Sequence, residues 1–428
     1  MSTLPKLLLE RAAHGPDTVA WRQFRLGVWN ESTWSDILGE ARAIGNGLSA
    51  LGLASGDVVA VLAGNSTMAI AAELGAQGIG CVVAVLPSDL APSTVRDILS
   101  LTDAKAAVVG DQEQFDKVEA ANTPAMQSTI VIDARGFRHI EVGGRSDAER
   151  VLTIDQLKNR STLAGAWDAK ASVVKGADPA AILCVINRST KEVEAHRFTH
   201  DALIKHAGQL NTTVNVGAGD IVSVQTSLAD PIEHTLSVVG PLAFGLAVNI
   251  GQPDLSTQSM RQVQPTLVAL DSTWLRGAAQ SFEHRIETGR GIKGFAARRG
   301  LTSHPLSTSA RTVPKISQTR MVGIGASVLA FLFLLVTVSM NDFARLFVCV
   351  LIALVAALIT VGTGWSTVTS ARRGLGLART RAVLHDGALT PESSPSIVSF
   401  LGTLNVPAVS MSPAPGEILG RVRSEVLA

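Results

Sequence analysis

GDVVAVLAGNSTMAIAAELGAQGIGCVVAVLP, residues Gly56–Pro87, sets the fold class. Val58–Leu62 is a short apolar run, Ser66–Gly78 has helical spacing, and Cys81–Leu86 is a second apolar run. Strand-like, helix-like and strand-like stretches in that order build a sheet with a helix laid on it. Upstream, Thr33–Leu53 has helical spacing and ends at the turn region of Gly52 and Gly56. Downstream, Pro92–Leu101 reads as helix, and Ala106–Val109 and Ile130–Ile132 as further strands. The rhythm predicts a parallel or mixed sheet covered by helices.

A second series follows a linker near Ala171–Asp178. Ala180–Ile186, Asp220–Gln225, Ala247–Ile250 and Thr266–Leu270 are strand candidates. Thr199–Leu210, Pro231–Phe244, Met260–Val263 and Ser272–Ile286 are helical, with Thr199 and Ser272 or Thr273 as caps. The expected fold is therefore α/β, with two sheet-and-helix subdomains at residues 1–175 and 176–288. There is no internal repeat.

Composition points to one further element. The chain has 428 residues, of which 46% are hydrophobic and only 17% charged; its mean hydropathy is +0.28. That balance suggests a membrane segment inside a globular chain. A net charge of +1 gives no strong pull toward nucleic acid. Cys81, Cys184 and Cys349 each sit in an apolar run, without metal-ligand spacing, and read as buried reduced thiols. The N-terminal stretch MSTLPKLLLERAAHGP has no long apolar core, so a secretory signal is not expected.

Met321–Met340 contains no charge and has the length to span a bilayer core as a helix; Leu346–Gly364 is also uncharged and nearly as long. Only Asn341–Arg345 separates them, so two spans must run antiparallel, as a two-helix transmembrane hairpin over 321–365. Before it, Gly289–Arg320 holds Arg290, Lys293, Arg298, Arg299, Arg311, Lys315 and Arg320 with no acid. After it come Arg372, Arg373, Arg379 and Arg381 before the first acid, Asp386. Basic flanks on both sides place both soluble ends, and the segment 366–428, on the cytoplasmic face of a cell membrane. The basic linker 289–320 either touches anionic lipid headgroups or only enforces topology.

Several segments carry a resemblance. They are the Trp29…Thr33-Trp34 pattern, GLSALGLASGDVVAVLAGNS (Gly47–Ser66), GCVVAVLP (Gly80–Pro87) and DQEQFDKV (Asp111–Val118). DPAAIL (Asp178–Leu183), FTH (Phe198–His200), GPLAFG (Gly240–Gly245), VQPTLVAL (Val263–Leu270) and RRGLGLARTRAVLHDGAL (Arg372–Leu389) continue it. In order and spacing they resemble a long-chain fatty acyl-CoA synthetase of the AMP-forming adenylating superfamily. That resemblance implies an acyl-adenylate-forming fold using ATP, Mg²⁺ and CoA.

The functional positions depart from the family pattern. Relatives follow the DPAAIL-like strand with a Thr/Ser/Gly-rich loop ending in Pro-Lys-Gly, whose glycines let backbone N–H groups cradle phosphate. Here the stretch is CVINRSTKEVEAHRF (Cys184–Phe198), without glycine. Ser189 and Thr190 read as remnants, Arg188, Lys191 and Arg197 as a possible rebuilt cationic set, and Glu192 and Glu194 as negative charge where phosphate would sit. Relatives also carry Tyr-Gly-x-Thr-Glu, whose Glu helps hold Mg²⁺. The matching stretch here is VSMSPAPG (Val409–Gly416), with Pro413 near that Glu, and proline offers no oxygen ligand. In SLADPIEH (Ser227–His234), Asp230 replaces a family His while Glu233 remains; His200 matches the family's Thr-His helix start. The family's ribose-binding Asp and C-terminal catalytic Lys are expected to have no counterpart.

Other chemistry finds little support in the residues. His200 and His206 fall on different faces of their helix, so with His196 they make no expected metal site. Asp230, Glu233 and His234 read as a capped helix start. There is no Gly-x-Ser-x-Gly elbow and no tyrosine. The expectation is a membrane-anchored pseudoenzyme with no catalytic residue and no cofactor of its own. It would bind membrane lipid and a protein partner, such as an active acyl-CoA synthetase. The alternative is a long-chain fatty acid–CoA ligase (AMP-forming), active through an altered site or a partner chain.

Overall fold

The structure is a computed structural model. It describes residues 2–137, 150–160, 165–187, 192–251, 256–270, 272–288, 371–385, 397, 400–402, 404, 406–410 and 417–423. The expected hairpin at 321–365 and the basic linker at 289–320 lie outside the described residues. Among the described residues, no helix is long and apolar enough to cross a membrane.

The chain falls into two compact units. One comprises Met1–Ser256, Leu267–Ala269 and Met411–Ala428; the other comprises Thr257–Thr266 and Leu270–Ser410. In the first unit the strands are β1 (Val19–Arg25), β2 (Val28–Thr33), β3 (Val58–Leu62), β4 (Val82–Val85), β5 (Ala104–Val109), β6 (Ser128–Val131) and β7 (Val151–Thr153). They continue as β8 (Pro179–Asn187), β9 (Glu192–Thr199), β10 (Ile221–Val224), β11 (Ala247–Ile250) and β12 (Leu267–Ala269). The second unit contributes β13 (Ala382–His385) and β14 (Ala408–Ser410), and β15 (Glu417–Arg423) returns to the first.

The larger sheet runs β15-β9-β8-β4-β3-β5-β6-β7. From β8 to β7 its neighbours are parallel; β8–β9 and β9–β15 are antiparallel. Its centre is buried on both faces, so β3 and β4 read as near-continuous apolar runs. The second sheet orders β12-β10-β11-β1-β2 within this unit, with only β1–β2 antiparallel. Each sheet draws strands from both sides of residue 175.

The helix Thr67–Gly78 packs against β1 of one sheet and against β3 and β4 of the other. Residues 69–78 are all buried, including Glu73 and Gln77. A helix apolar on nearly every side belongs between layers. Ser66 caps it, its hydroxyl accepting from the Ala69 N–H at 3.1 Å. On the larger sheet's other face, helices Pro92–Thr102 and Gln112–Ala121 close a core around Leu62, Leu86, Ile98, Val109 and Phe115.

In the second unit β13 and β14 pair in parallel, and the helix Ser272–Thr288 precedes the undescribed linker. Gly376, at φ +78°, lies against the Met260 backbone so closely that no side chain fits. Thr380 Oγ1 donates to the Pro265 carbonyl at 2.9 Å and Arg381 N–H to the Thr266 carbonyl at 2.9 Å.

One reading needs correction. Cys184–Phe198 is not a loop: β8 runs to Asn187 and β9 starts at Glu192, leaving only 188–191 between them. The physical reason is visible in EVEAHRFT, where Val193, Ala195 and Phe198 are buried between partly exposed polar neighbours. A register shift opposite Pro179–Ala181 places Phe198 one position out of strict alternation.

Candidate functional site

The β8–β9 hairpin is where the family pattern would set its phosphate loop. Ser189, Thr190 and Lys191 lie outside the described residues, as does Pro413. Up to the tip the ladder is continuous, with Asn187 opposite Glu192 and Val185 opposite Glu194. The backbone flanking the tip is thus committed to strand pairing.

Glu194 has partners of its own. β15 pairs with β9 so that Glu194 stands opposite Arg421, Arg197 opposite Glu417, and Glu192 opposite Arg423. The Arg421 Nε sits 3.0 Å from Glu194 Oε1, and His196 Nε2 lies 3.1 Å from its other oxygen. Arg197 approaches Glu417 at 3.9 Å. Opposite charges across an antiparallel pair favour this register over others. Glu194 is therefore matched by the Arg421 guanidinium and the His196 ring, and Arg197 belongs to the same strand pairing.

A second cluster lies inside the first unit, under the helix Pro231–Phe244. Asp230 Oδ1 accepts from the Ile232 and Glu233 N–H groups at 2.9 and 3.1 Å, which caps the helix as expected. Glu233 does more than follow a cap. Its Oε2 accepts from Gln225 N, Thr226 N and Thr226 Oγ1, each at 3.1 Å, and its Oε1 accepts from Ser237 Oγ at 2.6 Å. The side chain is fully buried. Burial pushes its carboxyl up to about 7, against the opposing pull of the Ser237, Gln225 and Thr226 hydrogen bonds.

Asn65 holds the same loop from the other side. Its Nδ2 donates to the Thr226 carbonyl at 2.6 Å, and its Oδ1 accepts from Leu228 N at 3.1 Å. His234 Nε2 donates to Glu73 Oε1 at 2.8 Å, and Gln77 Nε2 donates to that oxygen at 2.9 Å. His206 Nδ1 meets Thr235 Oγ1 at 2.8 Å; that hydroxyl gives its own proton to the Pro231 carbonyl, so the imidazole is the donor. His200 Nδ1 accepts from Leu4 N–H at 3.3 Å, and burial lowers its pKa to about 4. His200 is thus a neutral core residue joining the N-terminal helix to the helix His200–Val214.

The helix has a π-turn at Thr235–Val239, with Gly240 N–H reaching Thr235 O. Pro241 has no N–H for the carbonyl four residues back, that of Ser237. Trp21 Nε1 donates to that oxygen at 2.9 Å. Sequence reasoning reached Glu233 and His200 but missed Glu73, Gln77, Asn65, Ser237 and Trp21. Glu73 and Gln77 carried a signal: two polar residues four apart on the otherwise apolar stretch Ser66–Gly78. Among the described residues no group of three His, Cys, Asp or Glu side chains is arranged to hold a metal. The cluster is closed, and it fastens loop 225–229 to the core.

Residues 8–184 match the family model described as AMP-binding enzyme. A naringenin synthase of Pestalotiopsis fici is 22% identical over 330 residues, covering 76% of this chain and 11% of that protein. A putative long-chain-fatty-acid CoA ligase from Rhodopseudomonas palustris superposes with a TM-score of 0.53 at 18% identity, covering 64% of both chains. The N-terminal domain of FACL13 from Mycobacterium tuberculosis gives 0.51 at 19% identity, covering 65% of each. The chain therefore spans under two thirds of the length of these relatives. Its described fold is an α/β architecture with two sheets, matching the N-terminal domain of acyl-CoA synthetases, and its first 184 residues hold the match to the AMP-binding enzymes.

Proposed function

We propose that this chain is a membrane-anchored pseudoenzyme of the acyl-CoA synthetase type, which offers its fold to a protein partner or an acyl lipid and does not itself form acyl-adenylate. The observation that carries this reading is the β8–β9 hairpin, strand-paired up to a four-residue tip and without glycine from Cys184 to Phe198. Adenylation drives pyrophosphate from ATP, so negative charge must meet preorganised donors and Mg²⁺. Losing one such donor costs about 10²–10³ in rate. Pro413, near the position where the resembled family holds Mg²⁺ with a Glu, would add a second loss.

ATP–pyrophosphate exchange by the purified chain, across fatty acids of short to long chain, tests this. The expected outcome is exchange equal to a boiled control. Reproducible exchange above that control overturns the pseudoenzyme reading. It would promote the second one, an AMP-forming long-chain fatty acid–CoA ligase working through an altered site or a partner chain. The observation favouring that alternative is the built polar cluster around Glu233, a retained family position.

The uncharged runs at 321–340 and 346–364 support a two-pass anchor, with basic flanks on the cytoplasmic face and Asn341–Arg345 opposite. With Asn341→Cys and Ser307→Cys variants in intact cells, an impermeant thiol reagent should label 341 and spare 307. The reverse pattern would invert the topology. Gentle extraction that yields a bare monomer, with neither protein nor lipid attached, would remove the partner from this reading.

A further inference from the structure

We infer that the tip of the β1–β2 hairpin docks on an anionic lipid surface, an inference that rests on the membrane part of the proposed function. β1 and β2 are joined by two residues, Leu26 and Gly27, with φ of +53° and +86°. A two-residue hairpin turn with positive φ at both positions favours Asn-Gly, because a left-handed backbone strains most side chains. Leu26 carries that strain and gains no burial: it is 75% exposed, and Val28 beyond the turn is 57% exposed. An apolar residue held in a costly conformation and aimed at solvent calls for a reason outside the fold.

The surroundings say which surface it meets. Behind the tip the Phe24 and Trp29 rings pack with centroids 5.2 Å apart, an apolar shaft with a tryptophan of the kind enriched at membrane interfaces. Beside it stand three arginines. Arg25 and Arg135 share one carboxylate, Asp133, at 2.6 and 2.5 Å, while Arg22 pairs with Glu31 at 2.8 Å. Among the described residues these three guanidinium groups thus face two carboxylates, an excess of one positive charge. An apolar tip with a basic rim complements acyl chains beneath anionic headgroups. A lipid surface is favoured over a protein because the same chain carries two uncharged runs of bilayer length.

The test uses the full chain in a Cys349→Ser background, with an environment-sensitive fluorophore on Asn30→Cys, an exposed position on β2. It is reconstituted into phosphatidylcholine vesicles, with or without phosphatidylserine, containing brominated lipid as a quencher. The expected result is quenching of the Asn30 label, with the ratio of inserted to free label rising about fivefold on adding the anionic lipid, one charge's worth of attraction. Leu26→Asn should abolish the quenching while the thermal midpoint holds or rises, since Asn suits the left-handed turn. A lost signal therefore cannot be assigned to unfolding. A chain that floats with the vesicles while its label stays in water overturns the docking alone, and so does a Leu26→Asn variant that remains fully quenched. That first result is also what a protein-binding tip would give. A chain that fails to float with vesicles at all removes the membrane reading and the docking together.

Discussion

Glu233 and Glu194 are both acids that the family pattern brings into view, and their surroundings treat them in opposite ways. Glu233 is sealed under the helix Pro231–Phe244, where four donors converge on its carboxylate. Glu194 sits on β9 near the end of its sheet, matched by Arg421 and His196. The first acid is woven into the backbone of a buried loop; the second helps choose a strand register. Loss of the acid at 233 would leave buried donors unpaired. At 194 only surface pairs are at stake, so that strand edge tolerates change.

The largest effect should come from Glu233→Ala. Two backbone amides and the Thr226 and Ser237 hydroxyls lose their acceptor, each at about 1–3 kcal/mol when buried, and a cavity is added. Denaturant unfolding should show a loss of roughly 3–5 kcal/mol in the unit that contains it. A loss under about 1 kcal/mol would mean that water replaces the carboxylate freely, and the contrast with Glu194 would collapse.

Titration sharpens the comparison. Glu233 binds its proton more tightly folded, at about 7, than unfolded, at 4.5. Between those values the native state holds more protons, so this group's contribution to stability falls as pH rises, by about 3 kcal/mol in all. His200 runs the other way. Its pKa drops from 6.5 to about 4 on folding, so the unfolded chain holds more protons in that window and stability rises with pH. From about 4.5 to 6.5 the two slopes oppose, and the native chain should show a nearly flat stability profile there. Glu233→Gln removes one slope. Its carbonyl can replace Oε2 and its amide can donate to Ser237 Oγ, as the protonated acid would. That variant should gain stability with pH up to about 6.5 and match or exceed the native chain at pH 8. An unchanged flat profile would show that Glu233 is not the titrating group.

The sheet centres were legible because burial on both faces leaves only one reading. Val58–Leu62 and Ala247–Ile250 stand where the apolar runs put them, and the helical span Pro231–Phe244 coincides end to end. β9 was equally written in its alternation, but the resemblance to a phosphate loop pulled the reading away from the periodicity. β1 and β2 were hidden because their turn is Leu-Gly rather than Asn-Gly. The cluster around Glu233 was half legible. Its members on one helix could be seen together, whereas Glu73, Gln77, Asn65 and Trp21 come from more than 150 residues away and meet only through the layering.

The smallest effect should belong to Arg421→Ala. Its guanidinium is more than half exposed and Glu194 keeps His196 as a neighbour, so the pair resembles a screened surface bridge worth about 0.2–1 kcal/mol. Alanine should cost less than about 1 kcal/mol, and the cost should shrink as salt is raised toward 1 M, where the screening length falls to about 3 Å. Glu194→Ala, combined with Arg421→Ala in a double-mutant cycle, isolates their coupling from the effect of each truncation. A coupling near or above about 2 kcal/mol would place Glu194 in a desolvated setting like that of Glu233. The β9–β15 edge would then be a fixed element of the fold rather than a stretch open to change, and the freedom ascribed to the hairpin would be confined to its four-residue tip.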